Sequence, residues 1–187
     1  MDTFNYLSVL ISIVLGLGIT QLLAGFAGLV RARDRVTMYW PVPVQMAAMF
    51  LIHVQLWWAL FGLRGLTHWT IAEFIVVLMQ PVTLFLMTAL ITPDLSGVGR
   101  IDLRAVYFRE ARWFFGAILV ALAVSLAKTL VTAGSLPNPL DLAGHAVFAA
   151  VAVAGIVSSR DVAHKIIAPL SLALYSTYIA LLFVQLP

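Results

Sequence analysis

Three ionisable side chains lie within long apolar segments of the sequence, where charged groups are normally excluded. Glu73, Lys128 and His145 are each surrounded by aliphatic and small residues. At a rise of 1.5 Å per residue, each falls about 5 to 8 Å inside the outer boundary of its segment. Ionisable residues at such positions in a membrane mark ion or solute pathways, or they pair with one another. These three residues are therefore candidates for a polar outer vestibule.

A second group of polar residues lies deeper in the apolar segments. Gln80 and His53 fall about 15 Å from the segment ends by the same helical rise, and Tyr175 belongs to a row of polar residues at helical spacing. His53 can take up a proton near neutral pH. Gln55 points about 160° away from His53 on the same helix, so the two cannot face one narrow cavity. Together with the vestibule, the deeper group predicts a pathway lined by Gln80, His53 and Tyr175.

Each of these residues also has a purely structural interpretation. Lys128 lies close enough to the surface for its amine to reach water along a flexible stem, and it is equally suited to an ion pair with Glu73. Glu73 would also stabilise the first turn of a helix through the helix dipole. His145 follows Asp141 by one helical turn and can pair with it, whereas a lone His53 is more often a packing residue. The sequence leaves the functional and the structural interpretations open.

No residue pattern typical of an intramembrane enzyme occurs in the chain. There is no HExxH zinc pair, no GxSxG nucleophile turn, no phosphate-binding loop and no pair of carboxylates at membrane depth. The absence of cysteine excludes disulfides, thiolate metal sites and thiol catalysis. Lys128 would be able to form a Schiff base with an aldehyde, but no other residue supports that chemistry. We therefore expect no catalytic residue, no metal and no cofactor.

The composition places these residues in an integral membrane protein. Hydrophobic residues make up 63% of the 187 residues and charged residues only 10%, and the mean hydropathy of +1.04 lies well above that of soluble domains. The isoelectric point of about 9.6 reflects basic loops between the apolar segments rather than a nucleic-acid surface. Membrane lipids are the partners that this composition implies.

Six apolar segments are long enough, or nearly so, to cross a hydrocarbon core of about 30 Å as helices. We therefore predict an all-α bundle of six transmembrane helices in one domain, residues 1–187. The first segment carries Asp2 where a secretory signal has Lys or Arg, so we expect it to be retained as a helix. The predicted helices cover about residues 5–30, 41–63, 70–92, 112–133, 141–158 and 164–186.

The basic residues are distributed unevenly over the connecting loops. Arg64 is alone on one side and Lys128 lies inside a helix, while the other nine of the 11 basic residues fall in alternate loops on the opposite side. Positively charged loops face the cytoplasm, so both termini are predicted to lie on the non-cytoplasmic side. The nine residues are Arg31, Arg33, Arg35, Arg100, Arg104, Arg109, Arg112, Arg160 and Lys165.

The longest loop contains a segment, residues 102–112, that is predicted to lie along the cytoplasmic interface before the fourth transmembrane helix. Asp102 is suited to cap a helix there. Aromatic residues alternate with arginines as far as residue 115, a pattern typical of interfacial helices. The alternative is that these residues simply anchor the end of the fourth helix.

Small residues form one face of the first predicted helix. Gly18, Gln21, Gly25 and Gly28 fall within an arc of about 80°, so a neighbouring backbone can approach closely around one buried amide. Such a face predicts close helix packing, either inside the bundle, in a homodimer, or against a partner membrane protein.

Four stretches of the sequence follow one another in the order NYLSVLISIVLGLGITQLL, TMYWP, LWWALFGLR and DLRAVYFREARWFF. Through them the chain resembles a family of small, uncharacterised bacterial multi-pass membrane proteins over most of its length. The resemblance implies a setting in the bacterial inner membrane. It implies no activity, ligand or catalytic residue.

Two functions fit these features. The first is a small transporter or channel-like protein that passes an unknown ion or small solute through the polar vestibule. Pro81, directly after Gln80, favours it because a proline there frees a backbone carbonyl near the membrane centre. The alternative is a non-catalytic scaffold or accessory subunit that acts through helix–helix contacts, which the small size of the bundle favours.

Overall fold

The described part of the chain is almost entirely helical. The computed structural model describes residues 3–66, 68–97 and 99–182, with Thr3 described by its backbone alone. All six long helices are apolar enough to cross a membrane, so the prediction of an all-α protein with six membrane-spanning helices is confirmed. They are α1 (Thr3–Arg31), α2 (Pro41–Leu60), α3 (Ile71–Ile91), α4 (Leu103–Ala133), α5 (Pro139–Val157) and α6 (Asp161–Leu182).

The helix ends follow from local chemistry. Pro41 and Pro139 each stand in the first turn of a helix, where the missing N–H costs nothing. Asn138 caps α5 because its side chain accepts the N–H of Asp141 at 2.9 Å. At the other end of α4, Gly134 adopts a left-handed conformation with φ 67°, which glycine adopts without a steric penalty.

The sequence predicted that the fourth helix begins at residue 112. In the structure it begins at Leu103. Asp102 does cap it, accepting the N–H groups of Arg104 and Ala105. No glycine or proline follows until Gly116, so nothing separates residues 102–112 from the rest of α4. Instead of forming a separate interfacial helix, the segment forms the first turns of a helix of about 46 Å, which is longer than a bilayer core.

The sixth helix also begins earlier than expected, at Asp161 instead of residue 164. α2 ends at Leu60 and continues as a single 3-10 segment, Phe61–Gly65. The predicted end of the last helix at residue 186 lies outside the described residues.

The six helices pack as a closed ring in the order α1, α3, α4, α5, α6 and α2, and α2 also contacts α3 across it. Large side chains such as Phe114, Phe115 and Leu22 are fully buried between the helices. The outer surface is equally apolar, with Trp113 and Trp57 more than half exposed. A soluble protein rarely exposes so much apolar surface, whereas hydrocarbon chains of lipid match it.

The loops that carry most of the basic residues meet at one end of the ring, which we call the basic end. Two short strands, β1 (Val36–Thr37) and β2 (Ile101–Asp102), pair in parallel there. The guanidinium of Arg35 donates to the carbonyl oxygens of Leu95 and Gly97, which ties the loop after α1 to the loop after α3. The opposite end of the ring carries the α2–α3 and α4–α5 connections.

The third basic connection, between α5 and α6, joins the same end through ion pairs. Asp161 Oδ1 accepts from Arg104 Nε at 3.0 Å, and Asp161 Oδ2 accepts from Lys165 Nζ at 2.7 Å. Both pairs are partly exposed to solvent, so each contributes at most about 1 kcal/mol of stability. They nevertheless fix the start of α6 beside the start of α4.

Candidate functional site

An internal polar cavity lies between α2, α3, α4, α5 and α6. Its volume is about 80 Å³, enough for about two water molecules or one small polar group. Every lining residue is buried or half-buried. The polar lining residues come from all five helices and are Gln55, Gln80, Ser125, His145, Tyr175 and Tyr178.

Gln80 contributes an unpaired acceptor to this cavity. Its Nε2 donates to the Ala121 carbonyl oxygen of α4 at 3.4 Å, while its Oε1 is buried without a hydrogen-bond partner. Pro81 follows inside α3 and has no N–H for the carbonyl of Val77, which is four residues earlier. The middle of α3 thus combines a polar side chain with a weakened hydrogen-bond ladder.

His145 contributes a second unpaired group. Its Nδ1 lies 2.9 Å from the Asp141 carbonyl oxygen and 3.2 Å from Asp141 Oδ1. Both oxygens accept, so Nδ1 carries the proton. The buried Nε2 has no partner and is an acceptor in the neutral ring. The pairing of His145 with Asp141 that the sequence suggested is therefore present in the structure, and it leaves the far side of the ring unpaired.

An aromatic wall supports this arrangement from α5 and α6. The Tyr175 ring stacks on Phe148 with centroids 4.3 Å apart, and the Tyr178 ring meets Phe148 edge-on at 5.6 Å. The Tyr178 hydroxyl donates to Asp141 Oδ1 at 2.6 Å. A Cβ at Gly144 would lie 3.1 Å from the Tyr178 ring, so a residue without a side chain allows this close approach.

Lys128 lies near this group without joining the cavity lining. It is half-buried, and it interacts electrostatically with Asp141. No ion pair within 4.0 Å joins it to another described residue. The expected partner, Glu73, forms no ion pair with it in the described part of the chain. The carboxylate that interacts with Lys128 is therefore that of Asp141 in α5, not that of Glu73 in α3.

Glu73 has a different role from the one that the pathway hypothesis gave it. It forms a capping box with Thr70: Glu73 Oε2 accepts from the Thr70 N–H at 2.6 Å and from the Thr70 hydroxyl at 2.8 Å. The Glu73 N–H in turn donates to Thr70 Oγ1 at 3.2 Å. Glu73 does not line the cavity. Its carboxylate stabilises the start of α3, as the structural interpretation predicted.

His53 lies on the far side of α2 from the cavity. The side chain is fully buried, its Nδ1 donates to the Met49 carbonyl oxygen at 2.8 Å, and its Nε2 is packed against Gly18 of α1. Gln55 lines the cavity instead, in agreement with the 160° that separates the two residues on a helix. His53 is thus placed as a packing residue between α1 and α2.

The small-residue face of α1 packs inside the bundle. Besides Gly18, a Cβ at Gly25 would meet Met46 Cε at 2.8 Å, and one at Gly28 would meet Leu95 Cδ1 at 3.3 Å. These contacts bring α2 and the loop after α3 close to α1. Gln21 lies on the same side, in a larger cleft at the basic end.

Four residues of the site were not singled out from the sequence as candidates. They are Gln55, Ser125, Tyr178 and Asp141. The spacing contained a signal for two of them, because Ser125 lies three residues before Lys128 and Tyr178 three residues after Tyr175.

A second buried polar cluster, around His164 at the basic end, was not anticipated. His164 is fully buried, with its Nε2 donating to the Ser158 carbonyl oxygen at 2.8 Å and its Nδ1 accepting from the Tyr107 hydroxyl at 2.9 Å. Both ring nitrogens are satisfied, so this histidine is structural. Nearby, burial raises the pKa of Tyr39 and the Asp161 carboxylate raises it further.

The site provides no metal-binding group within the described ranges, since no set of three His, Asp or Glu side chains there is close enough to hold an ion. What it provides is a small, partly open volume with unpaired acceptors and no formal charge in its wall when His145 is neutral. No family model, no curated protein and no solved structure matches the chain, so its function rests on the arrangement of its own residues.

Proposed function

We propose that this polytopic membrane protein is a small transporter or channel-like protein of the bacterial inner membrane. One observation carries the proposal. Five helices surround a cavity with a partly polar wall, in which two buried atoms, Gln80 Oε1 and His145 Nε2, have no protein partner. An unsatisfied buried polar atom costs about 1–3 kcal/mol, so a stable bundle is expected to supply partners for both from a ligand or from water.

The chemistry of the cavity indicates what it binds. With His145 neutral, both unpaired atoms are acceptors, so an occupant that binds this state donates hydrogen bonds to them. The Tyr175 and Ser125 hydroxyls can serve a second polar group as donor or acceptor. A cavity of about 80 Å³ fits a small donor, such as ammonium or a single hydroxyl-bearing group. The Asp141 carboxylate beside His145 favours a cation.

The route through the protein follows α3. Leu84 and Met87 form the apolar side of the cavity and separate it from the basic end, so passage requires these side chains to move. Pro81 lies between Gln80 and that apolar layer, where the weakened ladder lets α3 bend. In this proposal the hinge at Pro81 alternately closes and opens the layer.

The orientation follows from the loop charges. Positively charged loops face the cytoplasm, which puts the basic end inside the cell and both termini outside. Lys128 and Asp141, near the α4–α5 connection, then lie at the outer rim of the cavity. These two opposite charges at its rim would set which ions approach.

The test is a flux assay on the full chain in proteoliposomes. Ammonium flux is followed by an enclosed pH dye, and glycerol flux by light scattering. Gln80→Leu and His145→Phe are expected to lower the flux about tenfold, since each removes one buried acceptor. His68→Gln, an exposed histidine outside the cavity, and Glu73→Gln should leave the flux within about twofold of the intact protein. Flux equal to that of empty liposomes, or unchanged in both cavity variants, would overturn the proposal.

The scaffold function has one observation in its favour. The cavity is much smaller than the roughly 300–1,000 Å³ of typical ligand sites. A scaffold would act through a homodimer or a partner membrane protein, and its cavity would hold structural water. It predicts no flux of either solute, together with a discrete oligomer in native mass spectrometry.

A further inference from the structure

A cleft larger than the polar cavity lies at the basic end, between α1 and the C-terminal end of α3. Its volume is about 650 Å³, and it extends from Gln21 and Gly25 to Arg31 and Arg35 on one wall and to Ser96 on the other. We propose that this cleft binds the headgroup of an anionic phospholipid. The proposal is independent of transport through the cavity.

Small residues create the deeper part of the cleft. A Cβ at Gly25 would meet the Met46 side chain at 2.8 Å and the side chain of Thr92, so the missing side chain at Gly25 lets α2 and the residue after α3 approach α1 closely. Ala24 and Ala89 add short walls that are exposed on the outside of the bundle. Apart from Gln21, this part is apolar and open to the lipid, as an acyl chain or glycerol backbone requires.

The outer part of the cleft carries the positive charge. Arg31, at the last turn of α1, is exposed and forms no hydrogen bond or ion pair through its side chain within the described ranges. Arg35 donates to the carbonyl oxygens of Leu95 and Gly97, which holds it in place but leaves its charge unneutralised. Arg31 can offer a planar, bidentate contact to a phosphate, and Arg35, whose two terminal nitrogens already donate to the loop carbonyls, adds its positive charge.

One acidic group belongs to the same cleft. Asp94 lines it and accepts the Ser96 N–H at 2.9 Å, and the hydrogen bonds from Ser96 hold the pKa of Asp94 below its usual value. The lining therefore carries two positive charges and one negative charge near neutral pH. A phosphodiester with one negative charge neutralises the remaining positive charge.

The position of the cleft favours a lipid over a soluble phosphate. Its polar half lies at the ends of two membrane-spanning helices, and its apolar half continues along the lipid-facing side of α1. Basic pockets at this level between transmembrane helices bind anionic headgroups, and cytoplasmic leaflets are rich in them. A soluble phosphate would use the arginines and leave the apolar half empty.

The test is lipid binding to the full-length protein by native mass spectrometry in a neutral detergent, with phosphatidylglycerol as the probe and phosphatidylethanolamine as the zwitterionic comparison. Arg31→Gln is expected to weaken phosphatidylglycerol binding about fivefold, as one lost arginine contact implies. Arg33→Gln, in the same loop but outside the cleft, should change it less than twofold. Ala24→Phe fills the apolar half and should also weaken binding, whereas Ala27→Phe, on the neighbouring exposed face, should not.

Three outcomes would overturn the proposal. Equal effects of Arg31→Gln and Arg33→Gln would show attraction to general surface charge. Equal binding of both lipids would show that the headgroup charge is not recognised. Competition by millimolar inorganic phosphate, combined with no effect of Ala24→Phe, would assign the cleft to a soluble phosphate. All four variants are first compared with the intact protein by thermal unfolding. If Arg31→Gln is misfolded, Arg31→Lys replaces it, because lysine keeps the charge but loses the bidentate geometry.

Discussion

A single histidine sets how closely α1 and α2 approach each other. His53 has one nitrogen fixed to Met49, and the other side of its ring fills the space that a side chain at position 18 would need. The ring is fully buried, so it has no room to turn away. The His53 ring therefore fits against α1 only because position 18 has no side chain, and replacing either His53 or Gly18 should disturb the contact.

Gly18→Ala should destabilise the protein by about 1–3 kcal/mol, because overpacking in a filled core costs that much. Gly16→Ala is the matched control, since a Cβ there meets nothing within 4 Å. It should be neutral or stabilising by up to about 1 kcal/mol from helix propensity. Thermal unfolding in detergent measures both, with about 2–4 °C expected per kcal/mol for a chain of this size. Equal melting temperatures for the two variants would contradict the packing role of His53.

The capping box of α3 gives a second test on single residues. Thr70→Ala removes the hydroxyl that pairs with Glu73 and should cost about 1 kcal/mol, the usual value for a lost N-cap. Glu73→Gln should cost less, because glutamine also fits the box. Neither variant should lower flux in proteoliposomes. If Glu73→Gln lost most of its flux at an unchanged melting temperature, Glu73 would be part of the transport pathway after all.

The case of Glu73 shows where the sequence stops being informative about single residues. Helical rise gives the depth of a residue, and the estimates for Glu73, Lys128 and His145 depend on it alone. It does not give the direction of a carboxylate that can turn back to its own helix start. Thr70 and Lys128 are alternative partners for the Glu73 carboxylate. Thr70 is only three residues away, so its contact with Glu73 forms without the packing of one helix on another.

At the level of helices, one aromatic ring marks the close approach of α4 and α5. A Cβ at Gly155 would lie 2.6 Å from the ring of Phe115, which is itself fully buried. The ring also lies against His164, with centroids 5.7 Å apart. This contact links α4, α5 and α6 at the basic end.

Gly155→Ala should therefore destabilise the protein by about 1–3 kcal/mol, since neither the ring nor the backbone has room to shift. Gly116→Ala, next to Phe115 on α4, meets nothing within 4 Å and should be neutral or stabilising. A double variant, Gly155→Ala with Phe115→Leu, should recover part of the loss in thermal unfolding. If Gly155→Ala melted with the intact protein, the close contact between α4 and α5 would be refuted.

The start of α4 could not be predicted correctly because two kinds of signal conflict there. The alternating arginines and aromatics of residues 102–115 are typical of the interface, and the apolar run starts only later. The backbone has no reason to break, since no Ser, Thr, Asp or Asn follows Asp102 before Ser125 and no proline before Pro137. The helix is therefore continuous from Leu103. The alternating arginines and aromatics mark only the part of α4 that extends beyond the apolar run.

The number of helices and the meeting of the basic loops were accessible from the sequence, because bilayer thickness and loop charge constrain them. The order of helices around the ring was not. The helix order depends on contacts such as those of Gly18 with His53 and of Gly155 with Phe115. In each of them the absence of a glycine side chain leaves room for the partner ring. Hydropathy does not distinguish such a glycine from Gly16 or Gly116, which meet nothing.

The orientation of the whole molecule can be tested directly because the chain contains no cysteine. Asp34→Cys introduces a thiol at the basic end, where the native side chain is 88% exposed, and Ser135→Cys introduces one in the exposed α4–α5 loop at the other end. A maleimide that cannot cross membranes should label Ser135→Cys in intact cells, and Asp34→Cys only after permeabilisation. The reverse pattern would place the basic end outside, against the positive-inside rule, and would move the cavity rim to the cytoplasm. Labelling of both sites from outside would mean that the two loops do not lie at opposite ends of the ring.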